Sequence, residues 1–296
     1  RAGAAAVSEA LDPALEAPRP GGGRGFSDAV TFAFGDERAD VFGLARVGLA
    51  DGAATGLALL FAGGETVAAR AQGGAPAPSP AAWEAVEAGG VTTTVEAPLQ
   101  RWTVRFDGGP DGGFDLRFEA LGAPAVVAGG GMEGYEQLCR VRGTARVGGR
   151  EVAIDGLGQR GHQWGEPDWG RMAMARTIGA WLGPDLAVVI GAFRPAKARH
   201  HANDEIAAVV LSGSPPQPVP IADPRLSTAY DLEGRQRRAG WELWPDDEDG
   251  YARRGAGELL CGTSLDLGEL RLDCAFFRFR MEGREGVGRY DVLRRA

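Results

Sequence analysis

A chain of 296 residues with 47 glycines and 18 prolines is too long for one small core and too rich in turn formers for long helices, so two domains of short strands are expected. Its net charge of -8 repels phosphate backbones and anionic headgroups, which makes nucleic acid and charged membrane surfaces poor partner candidates. No stretch approaches the roughly 20 apolar residues that span a bilayer, and the chain does not start with the basic-then-apolar order of a secretory signal; no integral membrane segment and a cytoplasmic location are expected.

The first 25 residues, with Pro18, Pro20 and Gly21-Gly22-Gly23, lack apolar periodicity beyond a short helix near Ser8 to Leu15, and read as a flexible leader. From Phe26 the period becomes two. Val30, Phe32 and Phe34 share one parity, and Pro80 to Glu87 is the other short helical candidate. Trp102, Val104 and Phe106 alternate with Arg101, Thr103 and Arg105, and Phe114, Leu116 and Phe118 repeat the pattern after a glycine-rich turn, which predicts a hairpin. The crowding of Ala, Pro and Gly from Gly122 to Gly131 suggests a break between an N-terminal domain at 26–128 and a C-terminal one at 129–296.

Beyond it, Val141, Ala145 and Val147 alternate with arginines before Gly148-Gly149 turns the chain into Val152 and Ile154, a tight hairpin. Near the end, Leu270, Leu272 and Cys274 hold one parity and Phe277, Phe279 and Met281 the other, which predicts a β-bulge around Ala275-Phe276. So many short antiparallel strands must close or stack to protect their edges, as a barrel or a sandwich. Cys139, Cys261 and Cys274 are odd in number and lack CxxC spacing, so buried free thiols are expected rather than disulfides or a zinc site.

The densest chemistry lies at Gly158 to Trp169. If the strand through Val152 and Ile154 continues unbroken, Arg160, His162 and Trp164 point inward with them. The imidazole could then exchange protons, the indole could stack on a cation, and Glu166 or Asp168 could orient the imidazole or act as the acid. Other candidates are weaker. His200-His201 face opposite ways on an extended strand and could ligate one ion only from a loop, so no metal is expected. Ser212-Gly213-Ser214 lacks a nucleophile elbow, and Trp181, Trp241 and Trp244 suit a core as well as a pocket wall.

Gly-x-Arg-x-His-Gln-Trp-Gly-x-x-Asp-Trp at Gly158 to Trp169 resembles the His-x-Trp signature of the carotenoid 1,2-hydratase and AttH-like group. The resemblance implies an all-β fold of two lipocalin-like antiparallel β-barrel domains. It also implies cofactor-free hydration, cyclisation or related chemistry on an apolar, isoprenoid-type small molecule. His162 would handle the proton and Trp164 would steady positive charge, with Glu166 and Asp168 as further catalytic candidates. Arg160, Trp169, Tyr135 and Trp181 are the substrate-binding candidates. The acidic residue often found before the His is Gly161 here, and the Tyr-x-Asp pair of a following strand is absent from Leu186 to Phe193. Glu166, Asp168 or Asp185 would have to replace the missing acid. The same barrels also fit a non-catalytic carrier of an apolar ligand, or a pericyclase that only shapes its substrate.

Overall fold

The computed structural model describes residues 12–19, 25–198, 203–246 and 250–295. These form eighteen strands in two antiparallel sheets. The first sheet contains β1 (Ser27–Asp36), β2 (Val41–Ala50), β3 (Ala53–Ala62), β4 (Glu65–Pro76), β5 (Val91–Ala97), β6 (Arg101–Asp107), β7 (Gly112–Ala120), β8 (Ala125–Val126), β9 (Met132–Val147) and β10 (Arg150–Gly165). Its order is β4-β3-β2-β1-β10-β9-β7-β6-β5, with β8 added to β9. The sheet curls without closing. The segment between β4 and β5 fills its gap: Trp83 enters the core, and the Gln72 side chain accepts a hydrogen bond from the Gly89 N–H at 2.8 Å.

The second sheet is a closed barrel of eight strands taken in chain order. They are β11 (Met172–Gly183), β12 (Leu186–Pro195), β13 (Glu205–Ser212), β14 (Gln217–Tyr230), β15 (Gln236–Pro245), β16 (Arg253–Asp266), β17 (Leu270–Met281) and β18 (Arg284–Arg295). Closure of β18 on β11 removes its edges. Thus the all-β, two-barrel architecture is present as one closed barrel and one partly closed sheet. Among the described residues no helix is long and apolar enough to cross a membrane.

Both expected hairpins form in register. Trp102 sits opposite Phe118, Val104 opposite Leu116 and Phe106 opposite Phe114, and Val147 faces Arg150 across Gly148-Gly149, both with positive φ. The composition break at Gly122 to Gly131 separates no sheets. The strands after it, β9 and β10, pair with β7 and β1, and the chain changes sheet at residues 166–171 instead. Glycine-rich turns occur within a sheet as readily as between two, so composition placed this boundary wrongly.

The leader also departs from expectation. In its described part, Pro13–Glu16 make a short helical turn whose Asp12 side chain accepts a hydrogen bond from the Ala14 N–H at 2.9 Å, and Glu16 is only 3% exposed. The bulge moves as well. β17 pairs with β18 without a shift from Leu270 to Met281, whereas on β16 Leu259 and Cys261 face successive residues Phe277 and Phe276, leaving Leu260 as the extra residue. The parity change on β17 arises because both its faces are buried. Ala275, Phe277, Phe279 and Met281 fill the barrel, while Leu272, Cys274 and Phe276 point outward against the first sheet.

That outward face forms the seam between the sheets. Phe42, Leu44, Leu57, Leu59 and Phe61 from β2 and β3 meet Trp181, Val189 and Phe276 of the barrel. The Phe276 ring lies 5.5 Å from that of Phe42 and 5.8 Å from that of Phe61. Truncation of this fully buried ring leaves a cavity in both layers, so Phe276→Ala is expected to lower unfolding free energy by about 3–5 kcal/mol. Urea denaturation measures it; an unchanged midpoint would mean that the seam does not hold the sheets together.

Candidate functional site

Strand β10 carries polar groups on both faces, and the period of two sorts them. Arg160, His162 and Trp164 face the interior of the first sheet, on the same side as Val152 and Ile154, as the alternation predicts. Gln159, Gly161 and Gln163 face the barrel. A single layer of backbone separates two polar networks.

The inner network is closed by the leader. The His162 ring nitrogens meet the Asp28 carboxylate at 2.7 Å and the Leu15 carbonyl at 2.9 Å. With both turned to acceptors and the side chain fully buried, neither nitrogen is left for a substrate. Trp83, Tyr135 and Trp164 pack edge-on around the imidazole, with ring centroids 5.5, 5.7 and 4.9 Å away. Arg160 is ion-paired with Glu16 and donates to Gln137 and to the Tyr135 hydroxyl, each at 3.1 Å. Glu16 also accepts from the Tyr135 hydroxyl at 3.0 Å and from the Trp102 indole at 3.2 Å. Burial pushes the Tyr135 phenol well above the ordinary tyrosine range, with Arg160 opposing and Glu16 adding to the rise. The network resembles a satisfied structural core more than an open catalytic pocket.

The outer face opens on a cavity of about 610 Å³ between the sheets, within the usual range for a small-molecule site. Leu44 and Leu57 form one wall, and Val189, Phe193 and Leu272 the other, with Trp169 among the lining residues. Its charged lining comprises Arg46, Glu136, Asp266, Arg289 and Asp291. The Glu136 carboxylate accepts from Gln159 at 2.7 Å, from Gln163 at 3.3 Å and from Arg289 at 3.3 Å. Arg289 lies 3.7 Å from Asp291 on its other side. One guanidinium therefore stands between two carboxyl groups.

Burial raises the affinity of both carboxyl groups for a proton. Glu136 is pushed above the ordinary glutamate value, with Arg289 and Gln159 opposing, and Asp291 is likewise raised by burial against Arg289 and the Cys274 thiol. A further contact fixes Glu136. A Cβ at position 161 would lie 2.3 Å from one of its carboxylate oxygens, so the carboxyl of β9 fills the space that a side chain at Gly161 would take. Gln159 extends the network to the seam by accepting from the Trp181 indole at 3.2 Å.

The residues singled out by sequence thus fall into separate places. Arg160, His162 and Tyr135 are gathered in the inner network, with the half-buried Trp164 at its margin. Trp169 lines the cavity and Trp181 lies in the seam. Glu166 and Asp168 are exposed on the segment between sheets. Asp168 caps a turn by accepting from the Gly170 and Arg171 N–H groups at 3.0 and 3.2 Å; the carboxylate on His162 is Asp28. Asp185 is paired with Arg284 at the surface. His200 and His201 lie outside the described residues. The three cysteines are free and buried, and burial pushes Cys139 and Cys261 up to about 12. Glu136, Arg289 and Asp291 were missed, because on one isolated sheet their parity is that of an ordinary solvent-facing surface.

A family model described as a domain of unknown function, DUF7064, matches residues 12–296. The chain belongs to the DUF7064 family. No curated protein matches this DUF7064 chain in sequence, but solved structures share its fold. Kievitone hydratase from Nectria haematococca superposes with a TM-score of 0.65 at 13% identity, over 96% of the DUF7064 chain and 93% of its own. CghA, solved with Sch210972, gives 0.65 at 11% identity over 92% and 89%. An AttH-like protein from Nitrosomonas europaea gives 0.66 at 10% identity over 91% and 92%. The AttH and carotenoid hydratase-like resemblance read around His162 therefore holds for the DUF7064 protein as a likeness of fold.

Removal of one member of a buried ion pair leaves the other uncompensated, so Glu16→Ala, which strands Arg160, is expected to cost about 3–5 kcal/mol of stability. Chemical denaturation checks this; a loss within the range of surface substitutions would show that the leader is not part of the folded core.

Proposed function

We propose that the protein is a cofactor-free enzyme of the hydratase or cyclase kind, a lyase or isomerase. Its substrate would be apolar, of isoprenoid or comparable character, and held in the cavity between the two sheets. The observation that carries this reading is the Glu136 carboxyl, raised by burial and facing an otherwise largely apolar cavity beside Arg289. A carboxyl group that keeps its proton can deliver it to an alkene or to a departing hydroxyl. Arg289 then stabilises the carboxylate left behind. The apolar walls, with Trp169 and Phe193 among them, shield the cationic intermediate from water. The cycle closes when the Glu136 carboxylate recovers a proton, either from a carbon beside the cation or from the water or hydroxyl oxygen that has captured it.

In this reading Glu136 replaces the acid that the related signature places at position 161. His162, Arg160 and Tyr135 hold the inner side of the same strands and act as positioning residues. The closed inner network supports that division, because its polar groups bond mainly to one another, the Arg160 Nε–H being an exception. A carrier remains the second reading, favoured by Arg289 itself, since a guanidinium between two carboxyl groups also stabilises their ionised forms.

The test is incubation of wild type and Glu136→Gln with a lipophilic extract of the source cells, followed by mass spectrometry of the products. Wild type should convert one component by gain or loss of water, or by isomerisation at constant mass. The variant should be slower by a factor of about 10²–10⁴. Equal conversion by both would point to a pericyclase and remove the proton donor; a component retained unchanged by both would establish a carrier.

The pH profile gives a second check. A general acid must hold its proton, so kcat/KM should be flat at low pH and fall about tenfold per pH unit above the raised pKa of Glu136. A rate that rises with pH in that range would assign Glu136 the opposite role, as a base.

A further inference from the structure

Arg46, half-buried at the cavity wall, is held differently from the buried arginines. Arg160 is paired with Glu16, Arg176 with Asp204 and Arg289 with Glu136. Arg46 lines the same cavity as Glu136, yet among the described residues it has no hydrogen-bond or ion-pair partner. A guanidinium carries five N–H donors in a fixed fork that suits a carboxylate or similar oxyanion. Left unpaired beside leucine side chains, it is an incomplete arrangement that a ligand can complete.

Register fixes where that group must lie. Arg46 on β2 pairs with Thr31 on β1, Thr31 with Gly161 on β10, and Gly161 with Glu136 on β9. The cation and the acid therefore mark the two ends of one row across four strands, about 14 Å apart along the sheet at the usual strand spacing. The two residues between them are small. Burial pushes the Arg46 pKa down, with Asp28 opposing and Arg289 adding to the fall, and an incoming anion would relieve that strain.

We infer that the cavity selects an acidic amphiphile: an apolar body whose carboxylate, phenolate or enolate oxygen pairs with Arg46 while its far end lies against Glu136. The inference rests on the cavity being the ligand site, as in the function proposed above, but not on Glu136 acting as an acid. If Glu136→Gln retained full turnover, recognition through Arg46 would stand.

Binding of cis-parinaric acid and of its methyl ester to the full chain, followed by probe fluorescence, tests it with wild type, Arg46→Gln and Arg46→Lys. The wild type should bind the acid at least about tenfold more tightly than the ester, as expected of a charge-assisted hydrogen bond. Arg46→Gln should abolish that preference while leaving ester affinity unchanged, which also serves as the control for folding, and Arg46→Lys should restore part of it. Equal affinity of wild type for acid and ester, or a preference that survives in Arg46→Gln, would overturn the inference alone. Absence of binding by either probe would overturn the cavity as a ligand site and the inference with it.

Discussion

The structure depends on the packing of the two sheets back to back. Lipocalin-like sheets bury one face around their own core and leave the other to solvent, but here the outer faces of β2 and β3 meet the outer faces of barrel strands across a second apolar layer centred on Phe276. This changes the meaning of the polar residues beside it. Arg289 and Asp291 would be routine surface charges on a free barrel, and Glu136 on a free sheet. Between the sheets they lose water, and each must find a partner or shift its proton affinity.

Strand β10 divides the consequences between its two faces. On one side Arg160 and His162 tie the leader and Trp83 into the first sheet through an ion pair and buried hydrogen bonds. On the other, Gln159 and Gln163 steady Glu136 while Gly161 leaves its carboxyl room. A slip of one residue would exchange the two faces and bury the wrong set. The long pairing with β9, unbroken from Arg150 to Gly165, excludes such a slip. The inner network thus supports the outer site indirectly, by fixing the strands that carry it.

Much of the fold was legible because period-two alternation reports burial directly. Trp102 to Phe118 and the Gly148-Gly149 hairpin were readable from local pattern alone, and the inward direction of Arg160, His162 and Trp164 followed from the same rule. Pattern failed where burial came from elsewhere in the chain. The switch of parity on β17 looked like a bulge because both faces are covered, and the leader looked loose because Glu16 finds its partners across more than a hundred residues, in Tyr135 and Arg160. Glu136, Arg289 and Asp291 were illegible for the same reason. What brings them together is the contact between sheets, and no local spacing encodes it. One signal was available: the glycine at 161, in a place where related signatures carry an acid, marked space for a carboxyl from the neighbouring strand.

The proposed ligand site lies between the sheets and not inside the first one. Photoaffinity labelling with a diazirine-bearing apolar ligand, mapped by peptide mass spectrometry, tests it most directly. Adducts are expected on cavity residues such as Leu57, Val189 or Phe193. Adducts on Phe32, Trp102 or Phe118, within the core of the first sheet, would contradict it and return the site to the side of His162.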